Sequence, residues 1–500
     1  MKVRVVKGSQ GKHYLSGCIS CNNANIWNCL PPKTIEACIR CSNLVQNPSF
    51  EAGYAYWQTD NVNFTDTSLF EGAKVARMGT GVASLVQELS LKGVNESPLF
   101  LSFNAFSDSE SAQNGSLIAE VVWLDKDYNS IGTGLRMFIP NERINNYARI
   151  TFFDITDRPP EGTTAARIQF TKGQGTALDY ILIDGLLLTP IGSLDLIKNG
   201  DFESGLLGWT ANPNTAFISD HKLSLEGAGH VRTHFNGTLT QDIPIGHLPP
   251  RSSFLFSFAV QGVGPVSLVV RIEWLDANNN AIGSGLNLLI PNGTLPVQGN
   301  YLSYLNITEP AVPGTVTARI IFGATVPETS YYLLLDQVIF ARAITDNLIQ
   351  NPSFEDGLNH WDATYITLVE LNDVYEGRAD AGIGQIGGAL VQDVCLRNAV
   401  GHCFLFSTGL GFRRTDPEAT FGTMIMKVIW LDRNDNEIGL GLCLIGTSNT
   451  QPLSDHQWVP YAGVTEPVPP GTTKARIQFT KTLSTNGYIE IDNVVFGRLI

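Results

Sequence analysis

The sequence predicts an all-β protein in which three tandem jelly-roll β-sandwich domains follow a cysteine-rich N-terminal extension. Two observations carry this prediction: one set of motifs occurs three times in the same order, and each copy consists of short apolar runs separated by turn residues. The chain has 500 residues, which is more than one hydrophobic core usually serves, so several domains are expected.

Four motifs recur in each copy. The first reads NPSFEAGYAYW at residues 47–57, NGDFESGLLGW at 199–209 and NPSFEDGLNHW at 351–361. The second is a W-L-D segment that leads into I-G-x-G-L, the third reads G-T-x-x-A-R-I, and the last is an apolar segment with a central I-D or L-D pair. This order predicts an N-terminal connector at 1–42 and three β-sandwich repeats at 43–192, 193–343 and 344–500.

The amino-acid sequence of each copy is typical of strands and hairpins. Runs such as LIAEVVWLD and SLVVRIEWLD alternate, carry β-branched residues and end at Asn, Asp or Gly. The segments LDKDYNSIG, LDANNNAIG and LDRNDNEIG predict polar hairpin turns. A hairpin is favoured over an EF-hand loop, because the glycine and the final glutamate of such a loop are missing. No strand–helix alternation occurs, so a two-sheet jelly roll is expected.

Composition and motifs exclude several classes of function. The formal net charge is −14, with no basic stripe to offset it, which argues against binding nucleic acid. No apolar run is long enough to span a membrane, and the first residues lack the apolar core of a secretory signal. We find neither a G-x-S-x-G nor an HExxH motif and no recurrent catalytic pair of acids, so we expect a protein that is not an enzyme.

The opening N-x-x-F-E…W motif, a middle E-G pair and the late I-D pair resemble the carbohydrate-binding-module superfamily of β-sandwiches. In that superfamily such segments meet at a structural calcium site, and calcium takes about six to eight oxygen ligands. The resemblance implies three calcium candidates in each copy: Glu51, Glu71 and Asp184; Glu203, Glu226 and Asp336; Glu355, Glu376 and Asp492. The alternative is that these acids cap turns or pair with arginines.

Each whole copy is also similar to a domain of Firmicutes that precedes collagen-like triplet tails, in proteins often linked to the spore surface. This chain departs from that arrangement, because it lacks the triplets and carries the domain three times. The resemblance implies an extracellular location on a cell or spore surface, reached without a signal peptide. It also implies partners at that surface: further copies of the chain, other spore-surface proteins or glycans.

Five of the eight cysteines lie in the N-terminal connector: Cys18, Cys21, Cys29, Cys38 and Cys41. Two C-x-x-C pairs fit a four-thiolate zinc site, but that leaves Cys29 over. The favoured alternative is a set of disulfides in which the odd cysteine bonds another chain. The other three, Cys395, Cys403 and Cys443, lie in the third repeat and could accept the connector of a neighbouring subunit. Cys395 and Cys403 could also bridge each other.

The predicted function is a structural subunit of a self-assembling surface fibre, appendage or layer. Residues 2–6 alternate in the manner of an edge strand, which could add to the sheet edge of a neighbour and join subunits head to tail. The alternative function is a carbohydrate-binding adhesin. Six of the eight tryptophans occupy equivalent positions in apolar segments and are expected in the core, which leaves only Trp27 and Trp458 as candidates for a sugar-stacking surface.

Overall fold

The computed structural model describes residues 4–5, 42–94, 96–107, 114–146, 149–175, 179–295, 300–328, 330–414, 419–446 and 457–500. These residues form strands and turns, and they contain no helix. None of them therefore provides a helix that could cross a membrane.

The strands fall into three equivalent sets after a short N-terminal strand, β1 (Arg4–Val5). Repeat 1 contains β2 (Gln58–Asp60), β3 (Val62–Thr65), β4 (Val75–Met78), β5 (Ala83–Ser90), β6 (Leu99–Phe106), β7 (Leu117–Leu124), β8 (Ser130–Ile139), β9 (Ile150–Ile155), β10 (Ala165–Lys172) and β11 (Ile181–Pro190). Repeat 2 contains β12 (Thr210–Ala211), β13 (Thr215–Ser219), β14 (Gly229–Thr233), β15 (Thr238–Pro244), β16 (Ser253–Val263), β17 (Ser267–Leu275), β18 (Ala281–Ile290), β19 (Leu302–Ile307), β20 (Thr317–Thr325) and β21 (Tyr332–Ala343). Repeat 3 contains β22 (Asp362–Thr364), β23 (Ile366–Val369), β24 (Asp380–Ile383), β25 (Gly388–Cys395), β26 (Leu405–Arg414), β27 (Met424–Leu431), β28 (Glu437–Gly446), β29 (Gln457–Val464), β30 (Lys474–Lys481) and β31 (Gly487–Gly497).

Each repeat is a sandwich of two antiparallel sheets. In repeat 1 the strand order is β2-β5-β10-β7-β8 in what we call the outer sheet and β3-β4-β11-β6-β9 in the inner sheet. Repeats 2 and 3 keep the same order with their own strands, and β1 extends the inner sheet of repeat 3. The prediction of three tandem jelly-roll domains is confirmed.

The W-L-D and I-G-x-G-L motifs build the centre of each sandwich. Trp123 is buried, and on the neighbouring hairpin strand Gly134 lies against its indole ring. A Cβ at Gly134 would overlap that ring, and the same holds for Gly285 with Trp274 and for Gly441 with Trp430. The second glycine of the motif therefore makes room for the largest core side chain.

The inner sheets are buried on both faces. One face packs inside its own sandwich, and the other meets the two remaining repeats in what we call the central core. Equivalent side chains from all three repeats form that core: Phe100, Phe153, Ile155 and Leu187; Leu255, Leu305, Ile307 and Ile339; Leu405, Val464 and Val495. Almost every residue of strands β6, β16 and β26 is accordingly buried, without the alternation of buried and exposed positions that is typical of a sheet with one face in solvent.

The three repeats form a closed ring. The loop after each middle glutamate, which we call the E-G loop, donates a backbone hydrogen bond to the preceding repeat. Gly227 N donates to Phe138 O at 2.7 Å, and Gly377 N donates to Leu289 O at 2.7 Å. Gly72 N donates to Ile445 O at 2.8 Å, so repeat 1 contacts repeat 3 as repeat 2 contacts repeat 1. The sequence does not reveal this ring closure.

Strand β1 pairs antiparallel with β23 of the same chain, with Arg4 opposite Leu368 and Val5 opposite Thr367. The edge-strand prediction for the N-terminus therefore holds for these two residues, within one chain. The five N-terminal cysteines, and with them the choice between zinc and disulfides, lie outside the described residues.

The cysteines of repeat 3 differ in environment. Cys395 is an exposed free thiol, whereas Cys403 is buried and disulfide-bonded. The two therefore do not bridge each other, contrary to one of the sequence expectations. Cys443 lies half-buried on β28.

Candidate functional site: carboxylates at the repeat junctions

The opening motif folds into a capped turn that fixes the early glutamate. In repeat 1, Asn47 and Phe50 adopt positive φ angles of 53° and 57°. The Asn47 side chain donates to Gly53 O at 2.9 Å, and Trp57 Nε1 donates to Asn47 O at 3.2 Å. Repeats 2 and 3 make the same contacts through Asn199 with Trp209 and Asn351 with Trp361. The turn explains why Asn, Phe, Glu and Trp recur in every copy.

The early glutamate of each repeat holds the E-G loop. Glu51 Oε1 accepts hydrogen bonds from the backbone of Ala73 at 2.5 Å and Lys74 at 2.7 Å. Glu203 accepts from residues 228 and 229, and Glu355 accepts from residues 378 and 379, in the same way. A side chain on the glycine of the E-G loop would overlap this carboxylate.

The late aspartates hold the same loop from inside. Asp184 Oδ2 accepts from Phe70 N at 3.2 Å and Glu71 N at 3.0 Å. The equivalent bonds are Leu225 N to Asp336 at 2.7 Å and Glu376 N to Asp492 at 2.9 Å. All three aspartates are buried, and burial raises the pKa of each well above its ordinary value.

The middle glutamate points across the junction. Glu71 Oε1 accepts from Ile445 N of repeat 3 at 3.1 Å, and a hydrogen bond from Ser49 also reaches this carboxyl. Burial raises the pKa of Glu71 to about 7, and burial does the same for Glu376, which Ser353 contacts. Glu226 has a pKa raised well above its ordinary value by burial and then by the charge of Asp154.

The nine calcium candidates therefore come together in three groups, one at each repeat junction. In each group carboxylates accept hydrogen bonds from backbone amides, as expected from the alternative to calcium binding, in which these acids cap turns. Among the described residues, no three His, Cys, Asp or Glu side chains are arranged to hold a metal. Calcium binding stays a prediction. A pocket of about 400 Å³ opens at the junction of repeats 1 and 2, where Asp201, Glu203 and Glu226 line it together with Arg136 and His221.

Sequence reasoning missed the residues that join the repeats at the ring axis. Thr151, Ser303 and Pro460 occupy equivalent positions on β9, β19 and β29, the inner-sheet edge strands that meet there. One signal could have found them: β9 reads ITFFDI, which places a phenylalanine on each face and is therefore unlike a solvent-facing edge.

Aromatic side chains are scarce on the exposed sheet faces. Each of the seven tryptophans in the described part of the chain is buried, including Trp458, which donates to Asp373 O at 2.8 Å. The core prediction for the six equivalent tryptophans is confirmed, and Trp27 lies outside the described residues. Of the exposed aromatic side chains in the described ranges, only Phe138 belongs to an outer-sheet strand.

Fold and site define a single-chain ring of three jelly-roll domains with carboxylates at its junctions. No protein-family profile matches the chain, and no curated protein is significantly similar to it. Similar solved structures include the tandem carbohydrate-binding modules CBM22-1 and CBM22-2 of Paenibacillus barcinonensis Xyn10C, with 13% identity over 61% of this chain and 97% of that one, TM-score 0.24.

Two further similar structures are single domains or parts of larger chains. The module TmCBM61 in complex with β-1,4-galactotriose has 16% identity over 30% of this chain and 98% of that chain, TM-score 0.23. The enzymatically active domain of tailspike protein 4 of bacteriophage CBA120 has 20% identity over 31% and 22%, TM-score 0.25. At such identities and TM-scores, no ligand or activity carries over to this chain.

Proposed function

We propose that the protein is a non-catalytic structural subunit of a self-assembling fibre, appendage or layer on a cell or spore surface. The observation that carries this proposal is which faces of each sheet are buried. Both faces of every inner sheet are buried, one in its own sandwich and one in the central core. The folded ring therefore behaves as one rigid block, because separating any repeat would expose a large apolar face.

The outer sheets suit a surface in contact with water. Along these strands buried positions alternate with outward ones, and the outward positions include ion pairs such as Arg319–Asp242 and Arg476–Asp393. Charged side chains of both signs on these faces help to keep a densely packed block from associating at random.

The N-terminal strand supports a mode of joining. Strand β1 adds to the edge strand β23, and the equivalent edge strands β3 and β13 pair on one side only among the described residues. Open edges accept further strands. In the proposed assembly the connector of one chain reaches an edge of its neighbour, and its cysteines lock the contact. A head-to-tail contact that does not close propagates a filament.

Electrophoresis with and without reductant, beside electron microscopy of full-length protein and a variant lacking residues 1–42, tests this proposal. We expect reductant-sensitive multimers and filaments only from the full-length chain. The variant Cys395→Ser separates the exposed thiol of repeat 3 from the connector cysteines. A full-length monomer without reductant, or filaments from the truncated chain, would contradict the proposal. One zinc per monomer would instead favour the zinc alternative.

A carbohydrate-binding adhesin is the second candidate, and the exposed tyrosines of the first opening turn favour it. Tyr54 and Tyr56 are 56% and 63% exposed, and the Tyr54 ring packs edge-on against Phe64 at 4.7 Å. Aromatic faces of this kind stack on sugars. Glycan-array binding by the full chain that is lost in Tyr54→Ala/Tyr56→Ala would support this candidate. The absence of any binding would remove it.

A further inference from the structure

We propose that repeat 1 binds an acidic sugar, of the uronic acid class, in a pocket between Lys92, Lys126 and Tyr128. The site shares no residue with the exposed tyrosines of the opening turn, Tyr54 and Tyr56, or with the carboxylates at the repeat junctions. It does not depend on the proposal of a surface fibre.

The pocket has a volume of about 390 Å³ and opens at one end of the outer sheet, and we call it the hairpin pocket. Three segments form it: the turn after β5, the β7–β8 hairpin and the start of β10. Lys92 and Lys126 contribute positive charge, Tyr128 contributes an aromatic ring, and Ser90 and Thr164 contribute hydroxyls. The described residues that line the pocket include no carboxylate.

The first observation concerns the aromatic ring. Tyr128 is 57% exposed and has a positive φ of 62°. At the equivalent positions of the other hairpins, Asn279 and Asp435 have φ angles of 63° and 64°. Asn and Asp adopt this left-handed conformation more readily than bulky side chains do, so tyrosine is a costly choice here. An exposed ring held in an unfavourable conformation indicates a role in contacts outside the chain.

The second observation is the local charge. Lys92 and Lys126 bring two positive charges to one pocket of a chain whose formal net charge is −14. Repeat 2 carries Gly246 and Ala277 at the equivalent positions. Lys126 Nζ lies 2.8 Å from a carboxylate oxygen of Asp127, but the two side chains are 80% and 63% exposed. So exposed a pair contributes little free energy, and an acidic ligand can compete for Lys126.

The third observation is the space beside Tyr128. The small residue Ala165 lines the hairpin pocket at the start of β10. In repeat 3 the equivalent residue is Lys474, whose Nζ lies 2.5 Å from Oδ1 of Asp435, the residue at the position of Tyr128. A lysine side chain therefore spans, in repeat 3, the space that stays open between Ala165 and Tyr128 in repeat 1.

The chemistry of the lining selects the class of ligand. An apolar ligand would gain little here, because sites for such ligands bury most of the ligand surface and the hairpin pocket is open and polar. A sugar ring can pack its C–H face on Tyr128 and keep its hydroxyls in water or near Ser90 and Thr164. A carboxylate on that ring would lie near Lys92 and Lys126, whose ammonium groups form charge-assisted hydrogen bonds with it.

Titration calorimetry of the full chain at low salt, with trigalacturonic acid and with its neutral methyl ester, tests the site. The variant Lys126→Ala/Tyr128→Asn introduces the residues of repeat 2, and Arg433→Ala removes the equivalent charge of the repeat 3 hairpin as a control. We expect the parent and the control to bind the acid at least about tenfold more tightly than the ester, and the site variant to lose at least about tenfold in affinity. Its melting temperature should not fall, because asparagine suits the positive φ at position 128.

Three results would overturn the inference: no binding of trigalacturonic acid by the parent chain, undiminished binding by the site variant, or equally tight binding of acetate, which would indicate a simple anion site. The variant Tyr54→Ala/Tyr56→Ala should bind as the parent does. A loss of binding in that variant alone would place the sugar on the opening turn, which would support the adhesin candidate and contradict the hairpin pocket.

Discussion

Ser303 Oγ donates a hydrogen bond to Thr151 O at 2.6 Å, across the boundary between repeats 2 and 1. Thr151 Oγ1 continues the pattern by donating to Pro460 O of repeat 3 at 3.1 Å. Pro460 has no donor to complete the circle, and the hydroxyl of Tyr375 donates to Ser303 O instead. Three edge strands thus meet at the axis without strand pairing, and side-chain hydroxyls satisfy their carbonyls.

Replacing Thr151 with valine should destabilise the ring by about 1–3 kcal/mol, because Pro460 O would be left buried without its donor. The variant also removes the acceptor for the Asn104 side chain, which lies 3.1 Å from Thr151 Oγ1. Urea unfolding of the full chain measures the loss. The same substitution at the outward-facing Thr317 is the control and should cost less than about 0.5 kcal/mol. Equal losses of unfolding free energy in the two variants would show that the hydroxyl at the ring axis contributes no more stability than one on the surface.

Replacing Phe153 with alanine should cost about 3–5 kcal/mol, because it opens a cavity in the central core. The ring of Phe153 stacks on Phe100 at 5.8 Å and is 2% exposed. Val86→Ala on the outer sheet is a control for a β-strand substitution facing solvent. Limited proteolysis should cut the Phe153→Ala variant in the linkers near 192 and 343 faster than the parent. A fall in stability without faster linker cleavage would indicate that the core of repeat 1, and not ring packing, was damaged.

The sandwiches could be predicted from the sequence because the contacts that define each one join residues that lie close together in the chain. Trp123 with Gly134, and Asn47 with Trp57, lie close in sequence, and three copies make such patterns visible. The ring depends instead on contacts such as Ser303 with Thr151 and Tyr461 with Phe70, whose partners differ from repeat to repeat. The grouping of the candidate acids followed from a resemblance, but the burial that raises the pKa of Glu71 needed the neighbouring repeat.

Acidification should destabilise the protein through His230. This side chain is fully buried, its Nδ1 lies 3.0 Å from Ser224 Oγ, and burial, with the charge of Arg232, lowers its pKa to about 4. Below pH 6.5 the unfolded chain takes up a proton that the folded chain refuses until about pH 4. The contribution of neutral His230 to the free energy of unfolding is therefore present above pH 6.5 and is lost as pH falls towards 4. The loss is about 2 kcal/mol between pH 7 and 5.

The variant His230→Val isolates this effect, because Val75 occupies the equivalent position in repeat 1. Urea unfolding at pH 7 and pH 5 should show a smaller loss in the variant than in the parent, by about 2 kcal/mol. Buried carboxyls act in the opposite direction in both proteins, so the difference between them is the readout. An identical pH dependence would mean that folding leaves the pKa of His230 at its ordinary value.

Alkaline pH should weaken repeat 2 through Asp195. Its position is taken by asparagine in the other repeats, where Asn43 Nδ2 donates to Leu186 O at 2.8 Å and Asn347 Nδ2 donates to Val494 O at 2.9 Å. Asp195 keeps the accepting half of this pattern, since Oδ1 accepts from Ile197 N at 3.0 Å and Phe340 N at 2.8 Å. An ionised aspartate cannot donate the remaining bond.

Burial, and more weakly the charge of Asp154, raises the pKa of Asp195 to about 8. A carboxyl with a raised pKa stabilises the fold fully at low pH and loses that stability as pH rises through the folded value, here by about 1 kcal/mol between pH 7 and 9. Asp195→Asn restores the donor and should remove this loss, while the reciprocal Asn347→Asp should create one in repeat 3. Urea unfolding of the three proteins at pH 7 and 9 measures both effects. If Asp195→Asn leaves the alkaline loss unchanged, the carboxyl is ionised in the folded chain at neutral pH, and another group carries the alkaline sensitivity.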